Sequence, residues 1–128
     1  MNKQSRKILI AEDNPGLARV LSFKFKASGF EPITCADGQL AWDTFQKEDI
    51  IAVISDQEMP RMTGLQLCKS IREVDTNIPF FLVTGRQLEI NASVDVENYR
   101  LTNVFAKPFS PGNVVSAVEA AISEAPVS

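Results

Sequence analysis

Five polar residues that can do metal or phosphate chemistry each follow a short apolar run. Glu12 and Asp13 come after the first run, Asp56 after the third, Thr84 after the fourth and Lys107 after the fifth. Taken singly, each has a commoner explanation, as an acid at a helix start, a strand threonine or a solvated lysine. The carboxyl ends of parallel strands meet at one edge of a sheet, so their shared placement predicts a single site.

The runs that carry these residues predict an α/β fold. Apolar stretches at residues 7–11, 30–35, 50–54, 79–83 and 104–106 have the length and β-branched character of strands. Between them lie helical patterns, such as the stripe formed by Leu17, Val20, Leu21 and Phe25. Five strands alternating with five helices predict right-handed crossovers and a parallel sheet covered on both faces.

Helix boundaries are marked by capping residues in several places. Helix starts are predicted at three pairs of residues, Asn14-Pro15, Asp37-Gly38 and Ser110-Pro111. The segment 86–102 is polar and only weakly periodic, and it predicts one helix near residues 88–96. Phe23 falls off the apolar stripe of the first helix and is expected to be exposed, and residues 124–128 are expected to fray.

The three carboxylates predict a bound cation. If the first and third strands are neighbours, Glu12, Asp13 and Asp56 crowd within a few ångströms, and each like-charge pair costs on the order of 4 kcal/mol at an effective dielectric near 20. All the ligands are hard oxygens, which favours Mg²⁺, or Mn²⁺ in its place. Lys107 and Thr84 could then contact the oxygens of a phosphoryl group.

Composition bounds the class of protein. The chain has 128 residues, which predicts one domain over residues 1–128 with a core at about 7–123. It contains no histidine, so its own residues cannot form a Ser-His-Asp triad, a histidine-ligated metal site or a phosphohistidine. The net charge of −3 argues against direct nucleic-acid binding.

The cysteines and the hydropathy pattern predict a cytoplasmic protein. Cys35 and Cys68 stand far apart, outside any metal-ligand or redox spacing, and are expected to be small buried residues in a reducing compartment. No apolar stretch approaches the roughly 20 residues that span a bilayer, and no signal peptide is recognisable. We therefore expect no membrane association.

Four segments resemble the receiver domain of bacterial two-component response regulators, a CheY-like family. They are residues 8–15 (ILIAEDNP), 54–64 (ISDQEMPRMTG), 82–85 (LVTG) and 105–109 (FAKPF), and the resemblance extends over nearly the whole chain. It implies a flavodoxin-like αβα sandwich with strand order 2-1-3-4-5. It also implies a cis peptide bond between Lys107 and Pro108.

The resemblance implies a role for each site residue. Asp56 would accept a phosphoryl group from a phosphohistidine on a sensor histidine kinase or histidine phosphotransfer protein. Mg²⁺ would be held by Asp13, Asp56, the backbone carbonyl of Glu58 and, through water, Glu12. Thr84 and Lys107 would grip the acyl phosphate and repack the face formed by the fourth helix, fifth strand and fifth helix. Such a chain is a signalling switch rather than an enzyme, although it takes part in its own phosphorylation and dephosphorylation.

Two features depart from the family pattern. Three residues before the lysine, where many receivers have an aromatic residue, stands Val104, with Phe105 next to it. A valine there predicts a subtler surface change, and Phe105 could contact a partner instead. Glu58 and Arg86 could form an ion pair across the site mouth or remain two unpaired, solvated charges. If they pair, neutralising both would speed loss of phosphate.

Three other interpretations remain open from the sequence. A Mg²⁺-dependent aspartyl-phosphate phosphohydrolase needs similar residues, but 128 residues leave no space for its usual cap. The second interpretation is a receiver-like interaction module that is never phosphorylated. Turnover of a generic phosphate ester would distinguish the phosphohydrolase from a receiver. The chain is expected to be either a stand-alone regulator or a receiver excised from a larger one, with an effector that the sequence does not identify.

Overall fold

The computed structural model describes residues 5–124 and contains one parallel sheet flanked by helices. The strands are β1 (Lys7–Ala11), β2 (Glu31–Cys35), β3 (Ile50–Asp56), β4 (Phe80–Thr84) and β5 (Asn103–Ala106). The helices are α1 (Pro15–Ala27), α2 (Gly38–Lys47), α3 (Gly64–Arg72), α4 (Gln87–Asn91), α5 (Asp95–Asn98) and α6 (Pro111–Glu124).

The sheet has the order β2-β1-β3-β4-β5, and every neighbouring pair is parallel. This confirms the α/β class and the strand order implied by the resemblance. β3 and β4 lie at the centre and are almost entirely buried, as their apolar residues on both faces require. The order reverses between β1 and β3, so the site is expected at their carboxyl ends.

Two apolar clusters cover the sheet, one on each face. One cluster joins the sheet to α1 and α6 through buried residues that include Leu21, Phe25 and Val118. The other joins it to α2 and α3 through residues such as Leu67 and Ile71, with α4 and α5 packed at its edge. The arrangement is a three-layer αβα sandwich.

Side-chain caps begin four of the helices, and in α6 the Ser110 hydroxyl accepts from the Asn113 N–H, as predicted. Asn14 accepts a hydrogen bond from the Leu17 N–H, and Asp37 accepts one from the Leu40 N–H. Thr63 forms a reciprocal capping box with Gln66 at the start of α3. Each of these helices therefore starts where the chain leaves the edge of the sheet that carries the site.

The prediction of one helix at residues 88–96 was wrong, because two short helices, α4 and α5, occupy this segment. The Ser93 hydroxyl donates to the Ile90 carbonyl and accepts from the Asp95 N–H, so it bridges the break between the two helices. The described chain thus has six helices rather than five. Arg72 fixes the end of α5 by donating to the carbonyls of Tyr99 and Arg100.

The apolar stripe of α1 also differs from its prediction in one residue. Val20 is 44% exposed, and Ala18 instead completes the buried face with Leu21 and Phe25. At about 100° per residue, Val20 lies on the far side of Leu17 from these three. Phe23 is 69% exposed, as predicted.

The two cysteines are free and buried, as expected. Burial raises the pKa of both thiols, that of Cys68 to about 11. Across residues 5–124, every helix is too short or too polar to cross a bilayer. The predicted fraying of the carboxyl terminus concerns residues 125–128, outside the described residues, and α6 includes residue 124.

Candidate functional site

The register of the parallel strands brings the acidic residues together. Ala11 of β1 lies opposite Ser55 of β3, so the next residues, Glu12 and Asp56, leave the sheet at the same level. One carboxylate oxygen each from Glu12, Asp13 and Asp56 lies within 4.8 Å of the other two. The predicted cluster therefore exists at the carboxyl edge of β1 and β3.

The same edge positions Thr84 and Lys107. Thr84 ends β4 opposite Ala106 of β5, and Lys107 follows directly. The Lys107 N–H donates to the Thr84 carbonyl at 3.0 Å, which extends the ladder by one residue. The Lys107–Pro108 peptide bond is cis, as the resemblance implied.

An open cleft of about 820 Å³ lies over the acidic cluster and Lys107, whereas the buried Thr84 is not among the residues that line it. Its walls include the acids at the end of β1, the end of β3 and the loop after β5, with Glu12, Asp13, Asp56, Glu58, Lys107 and Phe109 among the lining residues. Glu12 and Asp56 are buried at its base, whereas Asp13 is exposed. A ligand in the cleft would meet four carboxylates and one ammonium.

Asp56 and Lys107 form an ion pair at the base of the cleft. The Lys107 Nζ lies 2.8 Å from Asp56 Oδ1, with the Asp56 side chain 2% exposed and that of Lys107 32% exposed. The direction of approach does not satisfy hydrogen-bond geometry, so this buried oxygen accepts no hydrogen bond from the described residues. The charge of Asp56 is thus offset from one side only.

Burial and like charge raise the pKa of both buried acids. For Glu12, burial is the main cause and the Asp56 carboxylate adds to it, which raises the pKa to about 7 although the Asn14 N–H opposes the shift. Burial also raises the pKa of Asp56, against the opposing charge of Lys107. Burial alone would lower the pKa of Lys107, but the surrounding carboxylates raise it. A divalent cation would oppose these shifts, because it would stabilise the ionised form of both acids.

The acidic cluster fits a hard divalent cation such as Mg²⁺. Its donors are all carboxylate oxygens, two of the three side chains are buried, and Asp56 Oδ1 still lacks a hydrogen-bond donor. The Lys107 ammonium offsets the charge of this oxygen without donating a hydrogen bond to it, so a metal ion or water would add a contact that the oxygen lacks. Glu58 lies two residues beyond Asp56 in the sequence and also lines the cleft.

The predicted ion pair between Glu58 and Arg86 was wrong. Arg86 instead pairs with Glu89 on α4, at 2.9 Å. The Glu58 carboxylate accepts a hydrogen bond from the hydroxyl of Thr84, at 3.1 Å to Oε2 and 3.3 Å to Oε1. The sequence suggested a charged partner for Glu58, whereas the structure provides a neutral donor one strand away.

The loop after Asp56 is held by contacts that sequence reasoning missed. The Gln57 side-chain carbonyl accepts from the Leu65 N–H, and the Gln57 main-chain carbonyl accepts from the Gly64 N–H. A Cβ at Gly64 would lie 2.6 Å from the Asp56 carbonyl oxygen, which only glycine permits. These contacts seat α3 directly on the end of β3, consistent with a structural role for the residues that lead to Gly64.

Val104 and Phe105 take different places around β5. Val104 is buried, and its carbonyl accepts a hydrogen bond from the Gln87 side chain at 2.8 Å. Phe105 is half-buried and stacks on Phe81, with ring centroids 6.2 Å apart. β5 is therefore linked to α4 by a hydrogen bond and to the cluster under α6 by an aromatic contact.

Residues 8–119 match the family model described as the response regulator receiver domain. The chain is 27% identical over 116 residues to the alkaline phosphatase synthesis transcriptional regulatory protein PhoP of Bacillus subtilis, covering 91% of this chain and 48% of PhoP. It is 30% identical over 115 residues to the sensory transduction protein RegX3 of Mycolicibacterium smegmatis, covering 90% and 50% of the two chains. The chain thus spans about half the length of these curated relatives.

The solved structures agree with this assignment. The chemotaxis protein CheY4 of Vibrio cholerae superimposes with a TM-score of 0.82 at 26% identity, over 92% of this chain and 99% of CheY4. The family match covers most of the described residues, and the acidic cluster lies within it. The chain belongs to the response regulator receiver domains of two-component systems.

Proposed function

We propose that Asp56 is the phosphoacceptor of this receiver domain. The observation that supports this role is its position: a buried carboxylate at the end of β3, beside two further acids, with the Lys107 ammonium 2.8 Å away. We also propose that residues 1–128 make up one receiver domain, as expected from the sequence.

The reaction is transfer of a phosphoryl group from a partner's phosphohistidine. An oxygen of the Asp56 carboxylate attacks phosphorus, the bond from phosphorus to the imidazole nitrogen breaks, and the bond electrons stay on the imidazole. The partner must supply the histidine because this chain has none. The donor is therefore a sensor histidine kinase or a histidine phosphotransfer protein.

Mg²⁺, or Mn²⁺ in its place, would neutralise charge on the phosphoryl oxygens when bound. Asp13, Asp56 and the backbone carbonyl of Glu58 would hold it directly, with Glu12 acting through water. The Lys107 ammonium, which pairs with Asp56 in the described structure, would then also pair with a phosphoryl oxygen. The Thr84 hydroxyl would donate a hydrogen bond to a second phosphoryl oxygen.

The output of the switch would be a repacked face formed by α4, β5 and α6. Here α6 is the last helix, the fifth in the prediction from the sequence. Movement of Thr84 and Lys107 toward a phosphoryl group would be passed on by the contacts between their backbones. Gln87 links α4 to the Val104 carbonyl of β5, so both elements would respond together. This face would bind the effector, and phosphorylation would bias its equilibrium between two conformations.

The test is intact mass after incubation with Mg²⁺ and acetyl phosphate. We expect one phosphoryl group on the wild-type chain, none on Asp56→Asn and none when EDTA removes the metal. A generic phosphate ester should not be turned over if the chain is a switch rather than a phosphohydrolase. Turnover would favour the phosphohydrolase instead.

A second donor decides the remaining alternative. A phosphorylated histidine phosphotransfer protein should also label wild type but not Asp56→Asn. Absence of an adduct with both donors would contradict the proposal and favour a receiver-like module that signals by binding alone.

A further inference from the structure

The side chain of Glu58 makes a contact for which the proposed reaction has no use. Its carboxylate accepts a hydrogen bond from the Thr84 hydroxyl, the donor that the reaction needs for a phosphoryl oxygen. We propose that Glu58 is a positioning residue that occupies the Thr84 hydroxyl before phosphorylation and must release it before a phosphoryl group can bind. This inference rests on the function proposed for Asp56.

The Thr84 hydroxyl already uses its one donor proton in the described structure. It has one proton, which it donates to Glu58, and its oxygen accepts the Arg86 N–H at 3.0 Å. A phosphoryl oxygen can only accept, so it must take the same proton that Glu58 holds. The two acceptors therefore compete for one donor.

Burial makes the competition unavoidable. Thr84 is fully buried, whereas Glu58 is exposed and lines the cleft beside Asp56. An incoming group meets the Glu58 carboxylate before it can reach the hydroxyl. Because Glu58 is on the surface, it can leave by rotation of its side chain, without opening the core.

Charge makes the same residue unfavourable for an anionic donor. Glu58 adds a fourth carboxylate to a cleft in which Lys107 is the nearby ammonium paired with an acid. Its negative charge contributes to the raised pKa of Asp56, although burial is the main cause. A phosphoryl group that enters the cleft is repelled until Glu58 moves away.

The test compares Glu58→Ala with a matched control, Glu48→Ala. Glu48 carries the same charge but pairs with Lys7 at the first residue of β1, the opposite end of that strand from the site. At saturating Mg²⁺ and with acetyl phosphate, we expect Glu58→Ala to accelerate phosphorylation about threefold to tenfold, as for a barrier lowered by one net hydrogen bond. Glu48→Ala should leave the rate unchanged.

A double-mutant comparison separates the Thr84 contact from a general charge effect. In a Thr84→Val background there is no hydroxyl to occupy, so Glu58→Ala should change the rate by much less than in wild type. Equal acceleration in both backgrounds would overturn the role assigned to Thr84. Equal rates for wild type and Glu58→Ala would overturn the inference while leaving the proposed function intact.

A readout without metal or phosphate tests the contact directly. The Arg86 N–H donates to the same oxygen whose proton Glu58 accepts, so loss of Glu58 should shift the Arg86 amide resonance in ¹H–¹⁵N spectra. Glu48→Ala should not shift it, and an unmoved resonance in Glu58→Ala would contradict the contact. Failure to phosphorylate any variant would count against the function proposed for Asp56, which these spectra do not test.

Discussion

At the scale of single residues, the site is organised around one buried charge. Asp56 is almost completely shielded from solvent and has the Lys107 ammonium as its counter-charge in the described structure. Burial disfavours its ionised form, and the ammonium offsets part of that cost. The stability of the metal-free protein should therefore depend on the pair rather than on either residue alone.

We predict that Lys107→Met destabilises the metal-free protein at pH 8 by about 1–3 kcal/mol. A fully buried pair would lose roughly 3–5 kcal/mol, and the loss is smaller here because the Lys107 side chain is one-third exposed. The pKa of Asp56 should rise further, so the destabilisation should shrink as the pH falls and this acid becomes protonated. Urea unfolding at pH 8 and pH 5 measures both effects.

The control is the same substitution in an Asp56→Asn background. A neutral amide needs no counter-charge, so Lys107→Met should cost much less there. An equal loss in the two backgrounds would mean that Lys107 stabilises the protein by packing alone.

At the scale of the elements, the site depends on how closely α3 approaches the sheet. The capping box at Thr63 begins the helix, and Gly64 lets its first turn lie against β3 and β4. The Gly64 N–H also donates to the Gln57 carbonyl, which closes the loop after Asp56. Any side chain at residue 64 must therefore displace the backbone of Asp56.

We predict that Gly64→Ala destabilises the protein by about 1–3 kcal/mol, the range for overpacking a core. The added Cβ would lie 2.5 Å from Leu82 Cδ1 and 2.6 Å from the Asp56 carbonyl oxygen. Gly112→Ala in α6 is the matched control, since its Cβ would meet only the Ser110 Oγ, at 3.8 Å. That change should be neutral or stabilising, because alanine favours a helix over glycine.

Urea unfolding of the two variants checks the close approach. Equal midpoints for both alanine variants would show that α3 can move outward at no cost. In that case Gly64 would have no special part in seating α3.

At the scale of the whole molecule, the acidic cluster makes stability depend on pH and metal. The described fold gathers Glu12, Asp13 and Asp56 at one edge, against a net charge of −3 for the full chain. The pKa of Glu12 is raised to about 7 in the folded state, from 4.5 for an ordinary glutamate. The folded state thus binds more protons than the unfolded state between these two values.

We predict that the metal-free protein loses stability as the pH rises from 5 to 8. The stabilisation from a raised carboxyl pKa is complete below the unfolded value, where both states are protonated, and it is lost as the pH rises through the folded pKa. Glu12→Gln should reduce the pH dependence by about 1–3 kcal/mol over this range. The measurement is the free energy of unfolding of both chains in EDTA at several pH values.

Mg²⁺ should reverse this trend because it binds the ionised carboxylates. Its stabilisation, about 2.7 kcal/mol at a hundred times its dissociation constant, should be larger at pH 8 than at pH 5.5. Parallel pH profiles for wild type and Glu12→Gln in EDTA would contradict the role given to Glu12.

The sequence by itself determined the strands and the fold class, and it predicted that acidic residues gather at one edge of the sheet. Each central strand is a dense apolar run that can be stable only inside a sheet, and a polar residue marks the point where the run stops. Capping signals such as Asn14 and Asp37 act within one turn, so they could be read without a partner element. The resemblance to receivers then supplied the strand order.

Only the tertiary structure decided which neighbours these side chains meet. Glu58 and Thr84 are 26 residues apart, and their hydrogen bond exists because β3 and β4 are adjacent, a contact that no local pattern contains. The break between α4 and α5 likewise depends on one serine hydroxyl that competes with the helix backbone. Hydrophobic periodicity predicts which residues are buried in the core. The pairing of polar side chains depends instead on strand register and on distances between strands, and both are set only when the chain folds.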